Sequence, residues 1–386
     1  MTKKIRVAID GFRIVCERNT SGRAYAVELI AALSLRPEIE EIIVLVPWVD
    51  DAQLASLAHF PKISVQSANI SKLLDPARSW FRKTYWIQWL IPGLISRKKI
   101  IFDWYIAPYH QCPLRLSKVK VLAVIHDLCG LRADCGYQKR SKGYWNHRFN
   151  FWTAIRRADV LVPISQFARR DFIANYPKAA GKIISEIYNS VKSHTLSVDA
   201  GLDALKSIQI DKPFFIAFSA TGPRKGTDIT LSAYKKYKAQ GGKSDLVLIG
   251  GRAGIDFWKN SAEAKGLIGV HWLPHVTDLV RDALYQRSVA LLFPSRCEGF
   301  GYPIVEALRQ GCPSVALEYS PAKEILPDTL PLLKSLDYHE LERLMWKYDS
   351  LASQRDATQI SSLIQHSQRF ADDTLGIKFV TAMITR

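Results

Sequence analysis

The sequence predicts an α/β protein of two domains, each built on a parallel sheet, from three observations. Residues 288–317 run through an apolar strand, a turn at Glu298-Gly299-Phe300-Gly301, a helix and a second strand at 313–317. That unit links neighbouring parallel strands. Apolar runs of strand length also alternate with helical patterns along the rest of the chain. The length, 386 residues, exceeds what one core usually organises, so two domains are the default.

Composition narrows the classes of function. Hydrophobic residues make up 48% of the chain, which supports a folded core, yet no run of eighteen apolar residues is present. The start, MTKKIRVAID, enters a strand directly, and a soluble cytoplasmic protein is expected. The six cysteines form no CxxC pair, which fits free thiols in a reducing compartment. The net charge of +17 is uneven: residues 1–200 hold 30 Lys/Arg against 16 Asp/Glu, and residues 201–386 hold 23 against 20. Such a basic half attracts nucleic acid, an anionic membrane surface or a phosphorylated acceptor. The bases are dispersed and no zinc-finger, RRM or helix-turn-helix pattern is visible, so nucleic acid is not an expected partner.

In the N-terminal half, residues 5–9 make a first strand, and Gly22 opens a helical run to Leu35. The intervening turn is long for a strand-to-helix loop, and such loops often approach a ligand. Residues 77–99 mix aromatic residues with bases. Trp80, Phe81, Trp86 and Trp89 with Arg82, Lys83 and Lys98 suit either a membrane-surface helix, confined to 77–85, or a core helix broken at Pro92. Two further strands end at Pro108 and at His126-Asp127, which puts His126 at a carboxyl strand end, where α/β sites gather. Residues 144–176 contain a helix, a strand at 159–164 and a second helix capped by Ser165. Residues 192–210 read as a linker.

The second half opens with a strand at 214–220, a Gly-Pro turn, and Arg224-Lys225 just before a helix beginning near Thr227. A helix start favours phosphate, and two cations there add charge-assisted hydrogen bonds. In the 288–317 stretch, Pro303 suits the start of the helix and Gly311 its end. Glu298 sits in the loop above the strand and Glu306 in the first turn of the helix, so both carboxylates face one crevice. The chain contains no Asp-x-Asp, so no metal is expected, and the Arg224-Lys225 turn itself offers cations and amide dipoles to an anionic group.

Pro294-Ser295, Glu298, Gly299-Phe300-Gly301, Glu306 and the Gly-Cys-Pro exit together resemble the signature of family 4 of the glycosyltransferases. The resemblance is strong over about 210–325 and looser before it. Ser21-Gly22-Arg23 resembles the family's Gly-rich loop with its second glycine replaced by Ala24. Trp86-x-Gln88 resembles internal structure of the family, and Ile125-His126-Asp127-Leu128 resembles its mannosyltransferase-like members. Gln166, Ala168, Ser190 and Lys323 depart from the family pattern.

The resemblance implies a GT-B fold: two facing Rossmann-like domains with the active site in the cleft between them. It places an acceptor-side domain at 1–195 and a nucleotide-sugar domain at 210–365, with residues 366–386 packing back on the first. The implied reaction is hexose transfer with retention, without cofactor or metal, from a nucleotide sugar, GDP-mannose favoured, to a lipid-linked or polysaccharide acceptor. The enzyme would work in the cytoplasm or peripherally on the inner face of the membrane. His126 and Glu298 are the catalytic candidates, His126 as a partner of sugar hydroxyls. Arg224 and Lys225 would grip the diphosphate, Glu306 the ribose, and Val276 would lie in the loop that reads the base. Gly22, Phe300, Gly301, Ile304 and Val305 complete the implied donor site. An epimerase or a phosphorylase of the same fold is the alternative, and a basic nucleic-acid-binding protein a weaker one.

Overall fold

A computed structural model describes residues 4–17, 20–71, 75, 79–191, 205, 206, 208, 210–351, 357–371 and 374–385. The chain forms two compact units. The first is Met1–Leu131, Arg140–Ser190 and Asp373–Arg386, and the second is Arg132–Lys139 and Val191–Asp372. The first unit thus closes at Ser190 rather than near 195, and most of the expected linker at 192–210 lies outside the described residues. Arg132–Lys139 joins the second unit, where Gly136 lies against Pro223, a placement no local pattern announces.

The first unit holds a six-stranded sheet of β1 (Ile5–Asp10), β2 (Ile39–Val46), β3 (Ile63–Ser67), β4 (Trp104–Ala107), β5 (Lys120–Ile125) and β6 (Val160–Pro163), in the order β3-β2-β1-β4-β5-β6. The second holds β7 (Phe214–Ser219), β8 (Asp245–Gly250), β9 (Val270–Pro274), β10 (Leu291–Phe293), β11 (Ser314–Leu317) and β12 (Leu332–Leu333), in the order β12-β11-β10-β7-β8-β9. Every pairing is parallel. In each sheet the chain runs from its first strand to one edge, then returns to the other side of that strand. Loops after β1 and β4, and after β7 and β10, therefore part in opposite directions, leaving the crevice in which open α/β sheets bind ligands.

Helices cover both faces, and β4, β6, β10 and β11 are buried at every residue. Ser288 is the C-cap of the preceding helix Asp278–Arg287 and donates to Tyr285 O, and β10 begins at Leu291. Proline 92 does not break the aromatic segment. Helices Trp80–Tyr85 and Ile91–Arg97 are joined by a π-helical turn, Trp86–Leu90, whose wider ring accommodates the missing N–H. Trp86 is fully buried and donates to Asp10 Oδ1 at 2.9 Å, and Gln88 bridges Cys112 O and Leu114 N, so this part is core. Trp80, Phe81 and Trp89 stay exposed. The last helix, Leu375–Ile384, packs on Ser21–Ser34, where Gly376 lets Ala32 O approach. Free thiols are found at Cys16, Cys112, Cys135 and Cys312. Among the described residues no helix is long and apolar enough to cross a membrane.

Two glycines hold the second unit's loops. Gly311 (φ +67) ends the helix Tyr302–Arg309 with Gly311 N to Leu308 O and Cys312 N to Ala307 O, a Schellman stop. Gly226 (φ +69) stands between Lys225 and the helix Thr227–Ala239, and a Cβ there would lie 2.0 Å from Pro294 O. Only glycine lets the loop after β7 touch the end of β10. Gly226→Ala should cost about 1–2 kcal/mol from backbone conformation alone, with the clash added, and should lower the unfolding temperature of the second unit by about 3 °C or more. An unchanged melting curve would refute this packing.

Candidate active site

The crevice beside β7 gathers most of the charged residues expected to act. Arg224 and Lys225 leave the loop after β7 in a short 3-10 turn, and Glu298 leaves the loop after β10. Glu298 Oε1 accepts from Lys225 Nζ at 2.7 Å and Ser295 Oγ at 2.6 Å, with Arg224 Nη1 at 3.4 Å. Burial pushes the Glu298 carboxyl up, but Lys225, Arg224 and these hydrogen bonds outweigh it and hold the carboxyl below its ordinary range. The oxygen Oε2 accepts nothing among the described residues.

The two loops are stitched together by partners that the motif does not name. Arg296 forks onto Asp228, Nη1 to Oδ1 at 2.8 Å and Nη2 to Oδ2 at 2.6 Å, and also donates to Pro223 O. Arg296 N donates to Arg224 O at 2.9 Å. A bidentate fork of this kind fixes orientation as well as distance, so the Arg224-Lys225 backbone is held before any ligand arrives.

Glu306 belongs to the helix Tyr302–Arg309, in its second turn rather than its first, because the helix begins at Tyr302. Tyr285 OH donates to its Oε2 at 3.2 Å and Arg281 Nε lies 3.3 Å from the same oxygen. Oε1 accepts no hydrogen bond among the described residues, so Glu306, like Glu298, is anchored through one oxygen with the other left over. Burial pulls the Arg281 guanidinium down, yet Glu306 and its acidic neighbours raise it overall. Burial pushes Asp282, beside Arg281, up to about 6 against the pull of that cation. The signal for Arg281 and Tyr285 was available: they sit on the helix before β10, whose end must pack beside Glu306.

Phe300 is buried edge-on to Tyr302 and Phe370. Gly301 (φ +95) starts the helix, where Ile304 N donates to its carbonyl at 2.9 Å. Ile304 and Val305 are buried side chains of the core, so a ligand meets at most their backbone. Val276 is half-buried after β9, next to His275, which takes a positive φ of 56° while its N–H donates to Gly250 O at 3.1 Å. A non-glycine residue held there marks a constrained loop.

In the first unit, Gly22 is not a loop glycine. It lies in the first turn of Ser21–Ser34, capped by Thr20, and a Cβ on it would meet Arg13 Nη1 at 2.5 Å. The long loop before it contains a short helix, Phe12–Cys16, that carries Arg13. His126 follows β5, buried between Tyr25 and Tyr109, and its Nε2 lies 2.8 Å from Pro108 O. A carbonyl only accepts, so Nε2 carries the proton and Nδ1 is the acceptor. Burial, against the help of Pro108 O, pulls its pKa down to about 4, so the ring is neutral near pH 7 and acts as a hydrogen-bonding group rather than a cation.

Residues 204–343 match the family model described as glycosyl transferases group 1. That match lies wholly within the second unit. The chain has the GT-B architecture of two Rossmann-like domains: it superposes on the Anabaena protein Alr3699/HepE, solved in complex with UDP-glucose, at a TM-score of 0.72 with 18% identity, covering 99% of this chain and 100% of that one. It is 30% identical over 125 residues to the serotype-specific mannosyltransferase WbdA of Escherichia coli, covering 32% of this chain and only 15% of that protein's length. It is 22% identical over 306 residues to the O-antigen chain mannosyltransferase RfbU of Salmonella typhimurium, covering 78% of this chain and 79% of the relative. The match to the group 1 domain spans the Arg224-Lys225 turn, Arg281, Glu298 and Glu306 together.

The ion pairs yield a pH test. With its carboxyl held low, Glu298 contributes stability that is present above the unfolded carboxylate range and lost as pH falls through its depressed folded value. Lys225→Met removes the strongest of the influences that hold the carboxyl low, so the variant should lose about 1–3 kcal/mol at pH 7, with a deficit that shrinks as pH falls and Glu298 takes up its proton. Denaturation that shows the same deficit at pH 7 and at lower pH would refute the pairing.

Proposed function

We propose that the protein is a retaining glycosyltransferase that moves a hexose from a nucleotide sugar to a hydroxyl of a lipid-linked or polysaccharide acceptor in surface glycan synthesis. The observation that carries this reading is the pairing of Lys225 and Arg224 with Glu298 in the stretch that matches the group 1 model, with Glu298 and Glu306 each anchored through one oxygen and the other left open among the described residues. Arg224 and Lys225 stabilise the charge that develops on the departing diphosphate, which is where fixed cations lower a barrier most. Glu306 Oε1 receives ribose hydroxyls, and Glu298 Oε2 receives hydroxyls of the hexose and faces its cationic centre. Phe300 and Gly301 offer main-chain donors to the sugar, and the Val276 loop meets the base. His126 serves sugar hydroxyls through Nδ1. The leaving phosphate itself takes the acceptor proton on the same face of the sugar, so no covalent nucleophile is assigned. Mannose from GDP-mannose is the favoured donor, because RfbU and WbdA are both named mannosyltransferases.

Association with an anionic membrane surface fits the same reading. Trp80 meets Phe149 edge-on at 5.9 Å, and Phe149 packs with Trp152, joining two helices of the first unit into one aromatic patch. Phe81 is 72% exposed and Trp145 55%, with Arg148 over Trp145 and Arg115 over the exposed Trp89. Aromatic rings beside cations suit the headgroup level of a bilayer.

Glu306→Ala should weaken nucleotide affinity about tenfold to a hundredfold, the value of one charged hydrogen bond, while Glu298→Ala mainly lowers turnover. Calorimetry with a panel of nucleotide sugars tests both, and unchanged affinity in Glu306→Ala would remove the ribose assignment. Activity should survive EDTA and the product should keep the donor's anomeric configuration by NMR. A requirement for Mg²⁺ or Mn²⁺ would overturn the role of Arg224 and Lys225, and nucleotide release without an acceptor would favour the epimerase or phosphorylase reading. Sedimentation should show binding to anionic but not neutral vesicles, weakening with salt and with Phe81→Ser combined with Trp145→Ser. Equal binding to both vesicle types would leave a soluble acceptor.

A further inference from the structure

The first unit has its own reversal of strand order beside β1, and the loops flanking it hold a charged cluster that the donor chemistry leaves unused. Arg13 follows β1, Tyr109 and His110 follow β4, and Lys83 comes from the helix Trp80–Tyr85. The Arg13 guanidinium lies 3.9 Å from the centre of the Tyr109 ring, and Lys83 Nζ lies 5.2 Å from the same centre and 5.1 Å from that of Phe12. Two cations thus converge on one half-buried tyrosine.

Negative charge around them is incomplete. Glu17 pairs with Arg13 at 2.7 Å. Asp10 is buried, accepts from Trp86 Nε1 and Phe12 N, and is pushed up by burial, which suppresses its charge. Lys83 makes no ion pair among the described residues. Burial, and then Arg13, pull its ammonium down to about 7. Polar atoms beside the cluster are also unsatisfied: Arg13 Nε and both nitrogens of His110, which is 1% exposed and packs on Tyr109 at 4.3 Å, are buried without hydrogen-bond partners among the described residues. Such groups are rare in folded proteins unless a ligand, ion or water completes them. Gly22 has a place here, because any larger residue would displace the guanidinium.

We propose that Arg13 and Lys83 form an anion-binding site for a phosphoryl group, with Tyr109 as the platform that holds both cations. A phosphate between them supplies the missing counter-charge, accepts from the unused Arg13 Nε and returns Lys83 to its charged form. The site stands independently of the donor chemistry at Arg224 and Lys225. On the glycosyltransferase reading, and resting on it, the phosphoryl group is carried by the acceptor.

The test is calorimetric titration of the full chain with inorganic pyrophosphate and with geranyl diphosphate. Lys83→Gln and Arg13→Gln should each weaken binding at least tenfold and leave nucleotide affinity unchanged, Lys83→Arg should restore binding, and Arg224→Gln should weaken nucleotide affinity alone. Tighter binding of geranyl diphosphate assigns the phosphate to a lipid-borne group and equal binding to a soluble one. Should a variant fold poorly, NMR of methylated lysines in the parent chain gives the same answer: the Lys83 titration midpoint rises with pyrophosphate. Unchanged pyrophosphate affinity in Lys83→Gln, or a Lys83 midpoint that does not move, overturns the site, whereas loss of nucleotide binding alone speaks only against the donor assignment.

Discussion

The structure depends on the parallel contact between β7 and β10, strands far apart in sequence that pair directly as Leu291 with Ile216 and Leu292 with Ala217. That pairing sets the loop after each strand at the same edge of the sheet, and the close approach of Gly226 to Pro294 brings them into contact. Lys225 and Glu298 can then form an ion pair, while Arg296 and Asp228 lock the loops below it. A buried pair of this kind gives little net stability, because desolvation cancels much of the attraction. Its value is positional: it holds a cation and a carboxylate at fixed places in a site where charge will change.

The same logic explains why both glutamates are bound on one side only. A carboxylate whose two oxygens were both taken by the protein would have no acceptor left for a hydroxyl, and one with neither taken would lose orientation. Ser295, Lys225 and Arg224 on Glu298, and Tyr285 with Arg281 on Glu306, give the intermediate arrangement. Preorganisation of this kind lets a site act on developing charge without rearranging first.

Aromatic residues divide the first unit between core and surface. The π-helical turn carries Trp86 and Gln88 inward, where each satisfies a buried polar partner, and leaves Trp89 and Tyr85 stacked on the outside at 5.9 Å. A regular helix across Pro92 would lose a backbone hydrogen bond and meet a ring clash. The wider turn resolves that local conflict and rotates the aromatic face, so one short segment serves the interior and the surface together.

By itself the sequence determined the alternation of strands and helices, the start of the helix at Thr227, the αL stop at Gly311 and the candidates Arg224, Lys225, Glu298 and Glu306. These follow from periodicity, turn chemistry and charge, which act over a few residues. The tertiary structure alone decided what those side chains touch. The Lys225–Glu298 pair and the Arg296–Asp228 fork join loops that adjoin only after β7 and β10 pair, and no local pattern encodes that adjacency. Gly22 shows the limit most clearly: read as a ligand-approaching glycine, it instead makes room for Arg13, nine residues earlier, because space in a packed fold is shared between segments that the chain order keeps apart.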